Sequence, residues 1–170
     1  SEGEIIIDKS LTLEGEDFPI LDGEHKTQII TILADDVTVR GFILQNSGYS
    51  DLEELAAIRV EQKANCLIEN NKLYNNYFGI YLAKAQYCQI INNEVISKHE
   101  DSNDSSSKTL GQDLMGESES FSGNALHLWN ASHITAKNNR LEGHRDGIYL
   151  EFVKDALIAN NVSENNLRYG

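Results

Sequence analysis

The sequence predicts a right-handed parallel β-helix built from rungs of about 22 residues, a period in the range of solenoid repeats, and three observations predict it. Asn70-Asn71 returns as Asn92-Asn93, and Asn138-Asn139 returns as Asn160-Asn161, each after one such interval. The apolar positions keep that step: Ile58/Val60 maps onto Ile80/Leu82, Leu126/Leu128 onto Ile148/Leu150, Ile68 onto Ile90 and Leu73 onto Val95. Within a rung the apolar segments are short, alternate with polar residues, and are separated by Asn, Gly and Asp, which suits strand and corner rather than helix. A repeat of this length marks a solenoid, and the handedness of parallel crossovers favours the right-handed coil.

Taken in order, the first rungs are the loosest. Ile5-Ile6-Ile7, Leu11-Thr12-Leu13 and Ile30–Leu33 read as strands, with Gly15, Gly23 and Gly41 at turns. From Val39 to Ile68 the spacing is 29, one period plus 7, and the surplus falls within about Gly48–Ala56. From Ile80 to Leu126 it is 46, one period plus 24, so residues 98–122 form an inserted loop that leaves the phase of the flanking rungs intact. Counted from rung to rung, both insertions enter at one corner, just before the strand that reads Gly79-Ile80-Tyr81-Leu82 and again Gly147-Ile148-Tyr149-Leu150. The Asn pairs are expected at another corner, where Asn tolerates left-handed geometry and stacked side-chain amides can bond from rung to rung. Cys66 and Cys88, separated by the same step, share the inward parity of Ile68 and Ile90. Small apolar fillers are the main reading, with a strained disulfide or a metal-binding thiol pair as alternatives. One β-helix domain spans 1–170.

Composition narrows the function. With 27 acidic and 14 basic residues the net charge is −13, which disfavours nucleic acid and anionic headgroups. No run approaches the roughly 20 apolar residues of a spanning helix, so no direct membrane insertion is expected. One Trp and one Met among 170 residues argue against a large aromatic cofactor box. No nucleophile elbow, phosphate loop or catalytic Cys/His spacing appears.

Inserted loops on one edge of a rigid solenoid are where binding functions sit. The strand that follows the insertions turns its middle residues Arg59, Tyr81, His127 and Tyr149 outward as a column, with Glu61, Ala83, Trp129 and Glu151 beside the next corner. The tight turn Gly143-His144-Arg145-Asp146-Gly147 occupies the same corner, and Arg145 with Asp146 can lock that turn. The expected partner-binding surface is therefore His127, Trp129, His144, Arg145, Asp146, Tyr149 and Glu151. A metal reading adds His127, Met115 and His144, a set that suits Cu(I) better than Mg²⁺ or Ca²⁺, though without fixed ligand spacing.

Gly123-Asn124-Ala125-Leu126-His127-Leu128-Trp129, then Gly143–Phe152, then Asn166-Leu167-Arg168-Tyr169-Gly170 resemble the central block of the NosD family. The opening Ile7–Gly15 and Leu21-Asp22-Gly23 are similar to that family's first rungs. The resemblance implies a β-helical, non-enzymatic, periplasmic maturation factor of nitrous oxide reductase. It implies work beside an ABC transporter on the enzyme's copper–sulfur centre, with transporter subunits, the apo-enzyme or a copper chaperone as partners. NosD proteins continue past the Arg-Tyr-Gly motif, so the chain is expected to be an excerpt of a longer β-helix. The rival reading is a carbohydrate-active β-helix, a polysaccharide lyase or uronan epimerase. Its mark would be a groove with a basic residue beside paired acids, for which Arg59 near Glu61 is the nearest candidate. A purely structural or adhesive solenoid is a third reading, and it predicts no His and aromatic cluster at one edge.

Overall fold

In the computed structural model, residues 3–50, 52–98 and 122–170 are described. Among them 18 short strands form three parallel sheets of six, each rung giving one strand to each sheet in turn. The first sheet stacks β1 (Ile5–Ile7), β4 (Ile30–Ile32), β7 (Ala56–Glu61), β10 (Phe78–Ala83), β13 (Leu126–Trp129) and β16 (Ile148–Glu151). The second stacks β2 (Thr12–Glu14), β5 (Thr38–Arg40), β8 (Leu67–Glu69), β11 (Gln89–Ile91), β14 (Thr135–Lys137) and β17 (Leu157–Ala159). The third holds β3 (Ile20–Asp22), β6 (Ile43–Gln45), β9 (Lys72–Tyr74), β12 (Glu94–Ile96), β15 (Arg140–Glu142) and β18 (Val162–Glu164).

The register is the one the repeat predicts: Ile80 lies between Ile58 and Leu126, and Leu126 pairs onward with Ile148. Stacking puts like on like, so Ile30, Ile58, Ile80 and Leu126 form one fully buried line, and Val39, Ile68, Ile90 and Ala136 another. Such a core runs the length of the coil and needs no residue of special size, only an apolar one every rung. Ile158 continues the second line and Leu150 the neighbouring line of Val60, Leu82 and Leu128; they are 37% and 46% exposed, since no described strand covers them.

The corner between the second and third sheets explains the Asn pairs. Asn70, Asn92, Asn138 and Asn160 each have φ between 54° and 56°, the left-handed conformation that turns the chain and that Asn tolerates. Gly41 fills this position in the second rung at φ 79°. The second Asn of each pair points inward and builds a ladder. Asn71 Nδ2 donates to Asn93 Oδ1 at 3.2 Å, Asn93 Nδ2 to Asn139 Oδ1 at 3.1 Å and Asn139 Nδ2 to Asn161 Oδ1 at 2.9 Å. Each amide also donates to a strand carbonyl and accepts from a backbone N–H of the rung before, Asn71 from Phe42 and Asn93 from Asn71, with Asn93 donating to Ile68 O. A buried amide is costly unless paired, and here stacking pairs it.

Cys66 and Cys88 are buried, unbridged and stacked within the core, with Cys66 N–H donating to Cys88 Sγ at 3.4 Å. Contact with Cys88, and then burial, push the Cys66 thiol far above its ordinary range. This agrees with the filler reading.

Both insertions enter between the third and first sheets, as the spacing predicts. Ala56 belongs to β7, paired with Phe78, so the first excursion ends one residue earlier than expected. Of the 98–122 loop, Lys98 and Ser122 are described while 99–121, including His99, Met115 and Phe121, lie outside the described residues.

Candidate functional site

The outward column of the first sheet is present and in register: Arg59 opposite Tyr81, Tyr81 opposite His127, His127 opposite Tyr149. Thr31 and Ile6 extend it towards the N-terminus, a continuation hidden from sequence reasoning because the first rungs depart from the regular repeat length. Strand spacing of roughly 4.8 Å suits planar groups stacked face to face, and four lie along this column. The Arg59 guanidinium sits 4.5 Å from the Tyr81 ring centroid, the Tyr81 and His127 rings stack at 4.5 Å and 18°, and Tyr149 tilts against His127 at 4.9 Å. The outward His and its aromatic neighbours thus take part in rung stacking, as a ladder of their own.

Nor is this face solvated. Tyr81 and His127 are 3% and 6% exposed, joined by Phe78, Ala56 and Ala83 in a second apolar cluster against which Tyr77 and Trp129 rest. Phe78 escapes sequence reasoning because it shares the parity of Ile80, yet it meets His127 on the outer side with centroids 5.3 Å apart. Alternation fails at this corner: Gly79 turns inward, and a Cβ there would lie 2.4 Å from Ala125 O and 2.5 Å from Val95 Cγ1. Only a glycine permits that approach, which is why the strand opens Gly-Ile rather than with a larger residue. The aromatic doublet Tyr77-Phe78 immediately before Gly79 was the available signal.

His127 is held by Asn124, whose Nδ2 lies 3.1 Å from Nδ1. An amide donor at Nδ1 leaves the ring proton on Nε2. Burial lowers the His127 pKa to about 4; the charges of Arg145 and Arg59 act in the same direction, and those of Glu54 and Asp146 oppose it. The imidazole is therefore neutral at physiological pH. Its Nε2 is buried and has no hydrogen-bond partner among the described residues, and the same holds for Arg145 Nε. Burial, and then a hydrogen bond with Glu54, also raise the Tyr81 phenol pKa. Arg59 is secured by Glu61 at 2.9 Å and by the Glu54 carbonyl at 3.2 Å.

The remaining predicted residues divide. Asp146 is buried, and its bond to Arg145 is the weaker one: Arg168 grips it at 2.6 and 3.1 Å, whereas Arg145 Nε stands 3.7 Å away. The lock thus joins two rungs rather than closing one turn. His144 is fully buried at the corner, its Nδ1 3.1 Å from Glu142 O and its backbone N–H donating to Asn166 Oδ1 at 3.0 Å. That places it in the corner packing rather than on the outer face. Trp129 is half-buried beside Glu151 in the register, with Lys84 Nζ 5.2 Å from the indole centroid. No group of three or more His, Cys, Asp and Glu side chains placed to hold a metal occurs among the described residues. Met115, the third member of the expected metal set, lies outside them.

A cleft of about 920 Å³ opens along this edge, lined among others by Lys26, Glu54, Arg59, Phe78, His127 and Arg145. Its walls include residues from four rung-to-rung corners, Lys26 to Gln28, Ser50 with Leu52 to Leu55, Tyr77, and Arg145. The edge named from spacing alone is thus the edge with the cavity, although Lys26 and Glu54 were not among the expected residues. Chemically the cleft offers aromatic rings, two guanidinium groups, an ammonium, a neutral imidazole N–H and several carboxylates.

No curated protein matches the chain, and no solved structure does. Residues 28–170 match the family described as the right-handed β-helix region, and with its three parallel sheets and regular rung step the chain belongs to that family.

Proposed function

We propose that this β-helix is a periplasmic accessory protein for assembly of the copper–sulfur centre of nitrous oxide reductase, acting beside an ABC transporter by binding partners rather than by catalysis. One observation carries the reading. The three segments that resemble NosD, 123–129, 143–152 and 166–170, lie in successive rungs, the last two joined by Arg168 and buried Asp146, and His127 of the first and Arg145 of the second line the cleft. The resemblance thus takes in the surface around the cleft as well as core positions such as Leu126 and Leu128. Aromatic and Arg side chains around a recessed centre are what protein interfaces favour. Transporter subunits, the apo-enzyme or a copper chaperone are the proposed partners, and copper would be cargo passed at this edge.

The test replaces His127, Trp129 and Arg145 by Ala one at a time in the full-length protein. Co-purification of transporter and reductase, and the chromophore of the matured copper–sulfur centre, are then measured. Loss in at least one folded variant is expected; wild-type maturation by all three overturns the site.

A second reading is favoured by a specific observation. The cleft has a basic residue, Arg59, beside Glu54 and Glu61, the arrangement expected of a carbohydrate-active β-helix. Arg59 is committed to both neighbours and to Tyr81, which suits a structural role better than proton abstraction. Release of unsaturated or reducing ends from uronic-acid polymers by the pure protein, abolished by Arg59→Ala, would establish this reading instead.

A further inference from the structure

We propose that the cleft is a binding site for a small monoanion, a single carboxylate or similar oxyanion head on an uncharged aromatic or aliphatic stem, whose oxygens accept from His127 Nε2–H and Arg145 Nε–H. This does not rest on the reductase reading, since it concerns what the cleft holds and not which partners dock.

Two N–H donors carry the argument. Both are buried, both lack a hydrogen-bond partner among the described residues, and both belong to side chains lining one cavity. A buried donor left unpaired is costly, and two beside one cleft suit a ligand that accepts from both. With its amide N–H directed at Nδ1, 3.1 Å away, Asn124 favours the tautomer that presents N–H at Nε2. Arg145 is 34% exposed and only loosely paired, because Asp146 is taken up by Arg168. The neutral imidazole neither repels the neighbouring guanidinium groups nor needs a counter-ion of its own. Arg59 adds positive potential without being free to rearrange.

Size and charge narrow the ligand. At about 920 Å³ the cleft is many times the roughly 30 Å³ share of one water, so a bare oxyanion would leave it mostly empty. Its floor at Tyr77 and Phe78 is aromatic, which suits an apolar or aromatic stem. Glu4, Glu53 and Glu54 also line the cleft and, with Lys26 already paired to Glu24 at 2.9 Å, disfavour a second negative charge. Polyanions are disfavoured again by the net charge of −13.

The experiment titrates the full chain with benzoate, acetate and citrate at neutral pH. It follows the His127 ring ¹⁵N–¹H signals by NMR and the affinity by calorimetry. Benzoate should shift the His127 Nε2–H signal and bind more tightly than acetate, with citrate the weakest. Arg145→Ala should weaken benzoate by about tenfold or more, the loss of one charge-assisted hydrogen bond, and Arg145→Lys by less. Lys154→Ala, outside the cleft, should bind as wild type. The proposal is overturned by an unmoved His127 signal, by unchanged affinity in Arg145→Ala, or by citrate binding as tightly as benzoate. Failure of benzoate to bind leaves the reductase reading standing, whereas wild-type maturation by the Ala variants leaves this one standing.

Discussion

Two corners of the same coil solve the same problem in opposite ways. Between the second and third sheets four rungs turn on an Asn pair, and the inward amides bond in succession, Asn71 to Asn93 to Asn139 to Asn161. Between the third and first sheets rung lengths differ, alternation breaks at Gly79, and two N–H donors are buried without partners among the described residues. Repetition satisfies polar groups because each rung supplies what its neighbour lacks. Where repetition is interrupted the chain must find partners elsewhere, and that is where a cavity and unmet hydrogen-bonding capacity appear together.

The contrast is tested most severely at the ladder. Asn93→Ala removes the acceptor of Asn71 N–H and Nδ2 and the donor to Ile68 O and Asn139 Oδ1. We expect a loss of about 4 kcal/mol, near 1 for each bond, read from urea unfolding. A loss below about 1 kcal/mol, the worth of a single bond, would show that the ladder is not what holds this corner.

Acid should act on the other corner. The His127 pKa is about 4 when folded, against 6.5 as its ordinary value, so the unfolded chain binds a proton that the folded one refuses. Stability from this group is fully present above pH 6.5 and falls as the pH drops towards 4, by at most about 3 kcal/mol. Carboxylates contribute their own acid sensitivity, so the measurement is the difference from His127→Gln. That variant should show a flatter dependence between pH 6.5 and 4; identical slopes would mean the ring is accessible and ordinarily solvated.

The rung-to-rung lock should give a smaller effect. Asp146→Asn keeps the shape but loses the charge that Arg168 holds at 2.6 Å, and about 2 kcal/mol of stability should go with it. If Arg145→Ala proves more damaging than Asp146→Asn, the pairing described for this corner is wrong. In fact Arg145→Ala should change stability by less than about 0.5 kcal/mol, since its Nε has no bond to lose among the described residues. That absence of effect in thermal unfolding, set beside the Asn93→Ala loss, would separate a corner built for stacking from one built for a ligand.

Much of this arrangement was legible in the sequence, and the reason is the repeat. A stacked rung must place equivalent residues side by side, so the step from Ile58 to Ile80, resumed from Leu126 to Ile148 after the insertion, determined sheet register, core lines, both insertion points and the Asn corner. What repetition does not encode was hidden. Phe78 joins the outer cluster only because Gly79 lets the chain pass close to Ala125 and Val95. His144 reads as a surface residue in a polar turn but is buried, because a corner is packed by its neighbouring rungs and not by its own polarity. Asp146 chooses Arg168, one rung on, over the adjacent Arg145, a preference set by stacking distance. The sequence by itself determined which residues stack. Tertiary structure alone decided which of the outward ones are enclosed, since burial depends on how unequal corners from several rungs converge, and no period describes that.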